Sequence, residues 1–507
     1  MVSKNHQRNQ SACDICRSRR VKCQLTEGED SCDGCRFLGV PCTSNKPRRK
    51  RGPPNRHAIQ ANAIPGIDPS PPAIHPLSPE SSQSSILPTP TDSPLVASPP
   101  TYWPELKHNI LHLLAPTNLI NTVLNDWFTH IHPLAPILHQ RRFLTRLRNG
   151  EAKADPIFCA LVISVLCATC GTLRRKSFTQ YHPITLDRCI ELIRSHGLLP
   201  VDGPYTLDWC IAKYNLATAS MAHRDLSDPW THRVVSEAVS GTRYLLAFKV
   251  GGMGVFDREI LKRLHCLIEI CVTNFDMLGR SAHGRLPLER GDLAHLQPKA
   301  YTDAELDSSS TPITGTLTQR DILPNYHCDN TSYVPGLIYL HAIFQTWHIC
   351  QTDRFYLPAV QVLNTGLTRV QTTIDTLPPE LRWRGGLSRP ATASPGHDVQ
   401  IANILITSLY VRSNLIQQFG TPSNAQNEAE HQRIVSDLLE VLEHLPMETL
   451  EANGYSLIPK IRDIGGAYLE VLRGDLDGPL VAIADLAKGR LERLLTQLGV
   501  LDFRPGV

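Results

Sequence analysis

Residues 13–42 read CDICRSRRVKCQLTEGEDSCDGCRFLGVPC, and their spacing decides the architecture of the N-terminus. Cys13, Cys16, Cys23, Cys32, Cys35 and Cys42 are separated by two, six, eight, two and six residues. The pattern is a CxxC followed six residues later by a third cysteine, written twice. Thiolates bind Zn²⁺ tetrahedrally at about 2.3 Å, so two separate zinc ions would need eight sulfurs. Six sulfurs serve two zinc ions only if two thiolates bridge them, and the pseudo-repeat supplies that symmetry. All six cysteines are therefore the expected metal ligands, and two zinc ions per chain the expected cofactor. Disulfides are the competing reading, but a disulfide scaffold belongs in a short secreted chain. The first twelve residues, MVSKNHQRNQSA, are polar, so no signal peptide is expected. The other nine cysteines are scattered, which suits a reducing compartment. A RING-type adaptor would want eight ligands, usually with histidine, and no histidine falls in this window.

Basic residues run through the first half of the cluster. Arg17, Arg19, Arg20 and Lys22 lie between Cys16 and Cys23. On a turn of helix, at roughly 100° per residue, Arg17 and Arg20 share one face, and Arg19 and Lys22 the neighbouring one. Like charges this close repel, which makes sense if an anion neutralises them; a solvated basic face is the bland alternative. Arginine presents a fork that matches guanine O6 and N7 in the major groove, and phosphates elsewhere.

The spacing resembles the fungal zinc binuclear cluster (six-cysteine) family of transcription regulators. The resemblance implies that Cys13 and Cys32 are the bridging ligands. It also implies that the helix end before the third cysteine enters the major groove of double-stranded DNA and reads a CGG triplet. Carried over, Arg19 and Arg20 read bases, while Arg17 and Lys22 contact phosphate. The second half (Asp33, Gly34, Arg36, Phe37, Leu38) looks like the family's structural half, offering Arg36 at most to phosphate. The family usually has a proline in the loop between the third and fourth cysteines. Here that loop, residues 24–31, reads QLTEGEDS, acidic and proline-free, so its conformation and any phosphate contact depart from the pattern.

After Cys42 comes Lys46-Pro47-Arg48-Arg49-Lys50-Arg51-Gly52-Pro53-Pro54-Asn55-Arg56. Such a run reads as a nuclear localisation or nucleic-acid patch, and residues 46–57 are expected to serve as both. Lys46, Arg48, Arg49, Lys50 and Arg51 are thus added to the DNA-contact set, and the nucleus is the expected location. Residues 1–57 carry 13 Lys/Arg against 5 Asp/Glu, a formal +8, whereas residues 58–507 carry −5. Six thiolates with two Zn²⁺ subtract about two charges from the module, which stays basic. The nucleic-acid affinity therefore belongs to the N-terminal module, and counterion release makes it salt-dependent.

Residues 58–104 are rich in proline, serine and threonine and read as a disordered linker. Ser70, Ser78, Thr89, Ser93 and Ser98 each precede proline, as proline-directed phosphorylation sites do; incidental pairs in a biased segment explain them equally well. No leucine heptad run appears before residue 105, so either a single triplet or closely placed repeats are bound, or the C-terminal region makes a homodimer.

Residues 105–505 read as mostly all-α. Leu106, Ile110, Leu113 and Leu114 fall at helical spacing, as do Leu119, Val123, Trp127 and Ile131, and Ile401–Phe419 and Ile434–Leu445 carry a 3.6-residue pattern. Trp127-Phe128-Thr129-His130-Ile131-His132-Pro133-Leu134-Ala135-Pro136-Ile137-Leu138-His139 resembles the opening of the fungal-specific middle homology region of the same regulators. Arg263 to Glu269, Asp276, Gly279-Arg280 and Leu286-Pro287-Leu288 are similar to its later signature, with His265 and Cys266 in place of the usual aromatic pair.

Several tempting sites are weak. Cys167 and Cys170 form a CxxC inside an apolar run and read as buried helix residues. His130, His132 and His139 accompany no HExxH. Gly251–Gly254 follows no strand, and no Walker A, GxSxG or kinase signature is present. No apolar run approaches the roughly 18 residues needed to span a bilayer. The expected module order is a zinc cluster DNA-binding domain (10–45), basic arm (46–57), linker (58–104) and α-helical regulatory region (105–505). The expected function is a non-enzymatic DNA-binding regulator that partners the transcription machinery, with activation as the family's usual sign. The alternatives are a repressor or a receptor-type regulator whose helical region senses a small-molecule inducer. Asp437 to Glu443 is acidic and apolar like some activation segments, but reads better as an amphipathic helix.

Overall fold

The structure is a computed structural model of the 507-residue chain. It describes residues 6–7, 12–14, 16, 23, 25–26, 31–37, 41–44, 109–200, 202–224, 228–279, 296–308, 331–385, 393–421, 425–475 and 481–502. The chain divides into two units, residues 1–97 and 98–507. The arm at 46–57, the linker at 58–104, Leu106, Arg280 and Leu286–Leu288 lie outside the described residues.

In the first unit, strand β1 (His6–Gln7) pairs antiparallel with β2 (Leu25–Thr26), setting His6 opposite Thr26 and Gln7 opposite Leu25. The proline-free loop thus includes a short stretch of ladder. Helix α1 (Asp33–Phe37) follows. So short a stretch has little apolar surface to bury. Its buried cluster, among the described residues, consists of Cys13, Cys16, Cys32 and Cys35.

The second unit is built of helices, with no strand among its described residues. Its first half holds α2 (Ile110–Leu114), α3 (Thr117–Asp126), α4 (Gln140–Arg148), α5 (Glu151–Ala154), α6 (Pro156–Thr172) and α7 (Arg174–Thr179). It continues with α8 (Leu186–Ser195), α9 (Leu207–His223), α10 (Pro229–Phe248), α11 (Val255–Met277) and α12 (Asp303–Ser308). The second half holds α13 (Val334–Asp353), α14 (Ala359–Asp375), α15 (Pro395–Phe419), α16 (Ala425–His444), α17 (Met447–Asn453), α18 (Ile458–Asp475) and α19 (Val481–Leu501).

Each half is organised around one buried helix. In α6, the Asp155 side chain accepts from the Ile157 N–H at 2.8 Å, and Pro156 occupies the first turn, where a missing N–H costs nothing. Every residue from Phe158 to Gly171 is buried, so α6 is apolar all round and must be surrounded. Helices α3, α5, α8 and α9 surround it. Helix α15 has the same role in the second half, packed by α13, α14, α16, α17 and α18. It starts with a capping box in which Ser394 and His397 satisfy each other's backbone N–H groups. Gly366 of α14 is required by close approach: a Cβ there would lie 2.7 Å from Cys350 Sγ and 2.9 Å from Leu415 Cδ1.

Among the described residues the apolar periodicities match the core, Leu119 partly buried against it, with Leu113 as the exception. Val123, Trp127 and Ile131 are buried, the last two in a π-helical turn spanning Trp127–Ile131. Ile110 and Leu114 are buried, but Leu113 is 48% exposed. Helix α2 is only five residues long and packs against α6 and α8 from one side, leaving Leu113 on the far side. Cys167 and Cys170 are buried in α6, as expected. Contact with Cys189 and burial push the Cys167 thiol up, and burial does the same to Cys170, so both stay protonated packing residues. His139 caps α4, its Nδ1 accepting from the Arg142 N–H at 3.3 Å. Its Nε2 therefore carries the proton and donates to the Asp303 carbonyl at 3.0 Å. Gly251 and Gly252 lie in a 3₁₀ turn between α10 and α11. No helix among the described residues is long and apolar enough to cross a membrane.

The acidic-apolar segment is part of the core. Leu438, Leu439, Val441 and Leu442 are buried in α16, while Asp437, Glu440 and Glu443 face outward. Leu438→Ala is accordingly expected to destabilise the helical body by about 2–5 kcal/mol. Asp437→Asn should stay within about 0.5 kcal/mol of the parent. Urea midpoints followed by circular dichroism check both, and a Leu438→Ala chain as stable as the parent would remove the leucine from the core.

Candidate metal centre and nucleic-acid interface

The two CxxC segments fold the same way. The Cys16 N–H donates to Cys13 Sγ at 3.4 Å, and the Cys35 N–H donates to Cys32 Sγ at 3.4 Å. The Cys13 N–H reaches Cys23 Sγ at 3.5 Å, and the Cys32 N–H reaches Cys42 Sγ at 3.5 Å. A sequence offset of 19 residues between Cys13 and Cys32 thus becomes a repeated backbone geometry. In each copy the first sulfur accepts from the backbone of the second cysteine, and the third sulfur accepts from the backbone of the first.

The sulfurs converge at the centre of this repeat. Cys13 Sγ lies 3.8 Å from Cys32 Sγ and 3.6 Å from Cys35 Sγ, and Cys16 Sγ lies 3.6 Å from Cys32 Sγ. The Sγ atoms of Cys13, Cys16, Cys32 and Cys35 all fall within 4.8 Å of one another. A disulfide would bring two sulfurs to about 2.0 Å. The edge of a ZnS₄ tetrahedron with bonds of about 2.3 Å is roughly 3.8 Å, which these separations match. Cys23 contacts Cys13, Cys16 and Cys32. Cys42 contacts Cys13, Cys32 and Cys35. The six sulfurs therefore sort into two sets of four that share Cys13 and Cys32, a donor set that suits two soft-ligand divalent ions.

The charge distribution follows the same division. Burial pushes the Cys13 thiol up, but the Cys16 N–H and the thiols of Cys16, Cys35 and Cys32 outweigh it and bring it down to about 6. Cys32 is lowered in the same way against its burial, by the Cys35 N–H and the neighbouring thiols. Burial raises Cys16 to about 12, and it raises Cys35 as well. The backbone N–H groups of Cys16 and Cys35 thus point at the two shared sulfurs and favour their charged forms.

A polar clamp closes the module. The buried Asp14 donates its N–H to the Thr43 carbonyl at 2.7 Å, and Thr43 Oγ1 donates to Asp14 Oδ2 at 3.3 Å. The first CxxC is thereby tied to the residue just after the last cysteine. Sequence reasoning passed over both residues, because an aspartate and a threonine 29 positions apart carry no motif.

Of the expected DNA contacts, the described residues include Arg36 alone. It is exposed on α1, and its guanidinium donates to Asp33 one turn earlier. Exposed pairs of this kind contribute at most about 1 kcal/mol, so phosphate can compete for the arginine. Arg17, Arg19, Arg20, Lys22, Lys46, Arg48, Arg49, Lys50 and Arg51 lie outside the described residues.

Comparison with known proteins bears on this module most. The fungal Zn(2)-Cys(6) binuclear cluster domain matches residues 11–52. The citrinin biosynthesis transcriptional activator mrl3 of Monascus ruber is 28% identical over 30% of this chain and 36% of its own length. The citrinin biosynthesis transcriptional activator ctnR of Monascus purpureus is likewise 28% identical, over 30% of this chain and 32% of its own length. The chain thus spans about a third of the length of these relatives. The glucose transport transcription regulator RGT1 of Kluyveromyces lactis is 45% identical over 47 residues, 8% of this chain and 5% of its own length. No solved structure matches the chain at a significant level. The repeated sulfur geometry and the matched domain lead to one conclusion: residues 11–52 are a fungal Zn(2)-Cys(6) binuclear cluster domain, a two-zinc module.

Proposed function

We propose that the chain is a nuclear, sequence-specific DNA-binding transcription regulator, and that it activates transcription of a metabolic pathway or gene cluster. The observation that carries the reading is the pair of four-sulfur sets sharing Cys13 and Cys32, set in the same short module as a basic run. In this reading one zinc is held by Cys13, Cys16, Cys23 and Cys32, and the other by Cys13, Cys32, Cys35 and Cys42. The metals supply the folding energy that the module cannot obtain from an apolar core. They present the segment between Cys16 and Cys23 to DNA. Arg19 and Arg20 reach the guanines of a CGG triplet, and Arg17, Lys22, Arg36 and the 46–57 arm hold phosphates. The +8 charge of residues 1–57 against the −5 of the remainder supports assigning affinity to the module. The named roles of the relatives, two transcriptional activators of citrinin biosynthesis and a glucose transport regulator, support a metabolic gene set as the target. The helical body, residues 105–505, serves as the regulatory part that addresses the transcription machinery and, without a heptad zipper near the cluster, any second copy.

Selection of random duplexes by the full-length chain, with and without a zinc chelator, tests the reading directly. Enrichment of CGG triplets that the chelator abolishes is the expected result; a zinc-loaded chain that enriches no motif would remove the triplet assignment. Cys32→Ala, which takes one sulfur from both sets, is expected to lose both zinc ions as read by metal analysis. Two zinc ions retained by that variant would exclude the shared-thiolate arrangement. Arg20→Ala should keep its zinc yet lose about 1–3 kcal/mol of triplet discrimination. Arg49→Ala should instead weaken all duplexes alike and reduce the salt slope by about 1. Unchanged discrimination in the first variant, or a selective loss in the second, would reassign the residue.

A further inference from the structure

A half-open cavity of about 180 Å³ lies in the helical body where its two core clusters meet. Helices α9 and α11 line one side, and α13, α17 and α18 the other. Much of the wall is apolar, with Met221, Leu267, Ile270, Leu340 and Phe344 among its residues. Polar side chains interrupt it, Lys460, Asn453 and Asn274 among them. Lys460 is 3% exposed, and its Nζ donates to Asn403 Oδ1 at 3.2 Å and Thr407 Oγ1 at 2.7 Å. An ammonium has three protons to donate; the third lies on the side of the Phe344 ring, whose centroid is 5.3 Å from Nζ, and no carboxylate pairs with this amine among the described residues. Asn453 is also 3% exposed; its Nδ2 donates to the Val399 and Thr449 carbonyls at 3.0 Å, while its Oδ1 has no partner. Asn274 Oδ1 is buried and equally unpartnered.

This combination is costly as pure packing. A buried polar atom without a hydrogen bond destabilises the fold, and a buried amine without a counter-ion does so more. Burial alone lowers the Lys460 amine to about 7, so an anion beside it would restore the charged form. The wall asks for an apolar body, the amine for an anionic oxygen, and the polar side chains of the wall for a hydroxyl. We infer that this cavity binds a small ring-bearing hydroxy carboxylic acid, with its carboxylate toward Lys460 and its hydroxyl toward the polar side chains of the wall. The volume suits a molecule of about ten non-hydrogen atoms. Such a ligand would touch both core clusters at once. The inference stands apart from the DNA-binding reading, and its test contains no DNA.

The test uses the full-length chain, isothermal titration, and salicylate and 3-hydroxybenzoate as probes. At least one of the two is expected to saturate one site per chain. The methyl ester of that probe, which lacks the charge, should bind at least tenfold more weakly, and benzoate, which lacks the hydroxyl, several-fold more weakly. Lys460→Met, which removes the amine at similar volume, should lose at least tenfold in affinity. Ala222→Leu, which adds bulk to the cavity wall from α9 and leaves the amine in place, should abolish binding with helical circular dichroism retained. If Lys460→Met does not fold, Ala222→Leu decides. Any of three results would overturn the assignment: no saturable binding of either acid up to ~10 mM, equal binding of acid and ester, or unchanged binding in a folded cavity variant. Ordered water would then be what satisfies these groups.

Discussion

The contact between Cys13 Sγ and Cys32 Sγ, at 3.8 Å, is the interaction on which the N-terminal module depends. These two sulfurs belong to both four-sulfur sets, so the module has one centre rather than two. The surrounding chain offers no apolar substitute, since its buried cluster among the described residues is made of cysteine. The backbone N–H groups of Cys16 and Cys35 point at the shared sulfurs and favour their thiolate forms. The Asp14–Thr43 clamp then closes the chain around the cluster. Metal, backbone and clamp act on the same two loops, which explains how so few residues hold a defined shape.

The helical body meets its stability requirement by different means. Two long buried helices, α6 and α15, each collect a shell of neighbouring helices, and side-chain caps at Asp155 and Ser394 define where they start. Burial of apolar surface supplies the driving force there, at roughly 25 cal/mol per Å². The two cores meet at a cavity that retains a buried amine and unpaired amide oxygens, where packing alone would have favoured apolar residues. The acidic-apolar stretch of α16 belongs to this packing: its leucines are core and its carboxylates are the wet face.

Much of this was legible in the residues, for reasons of period and spacing. The helices of residues 110–501 follow from apolar residues recurring at the helical period, and Val123, Trp127 and Ile131 are buried where that period puts them. The same pattern misplaced Leu113, because periodicity names a stripe and a five-residue helix covers only part of one. Cys167 and Cys170 read correctly as packing residues from their apolar setting. Asp14, Thr43 and Lys460 were not legible: their partners are 29 to 57 positions away, and such pairings leave no local signal.

The sequence by itself determined the metal chemistry, because thiolate number and spacing limit which ions and which sharing are possible. It also determined the division of charge between a basic N-terminus and an acidic remainder, which is a matter of composition. The tertiary structure decided which sulfurs touch, sorting six equivalent-looking cysteines into two sets with two members in common. It also decided that a lysine of α18 faces the junction of two cores. Both are questions of distance between residues far apart in the chain, and distance is set by packing rather than by neighbours in sequence.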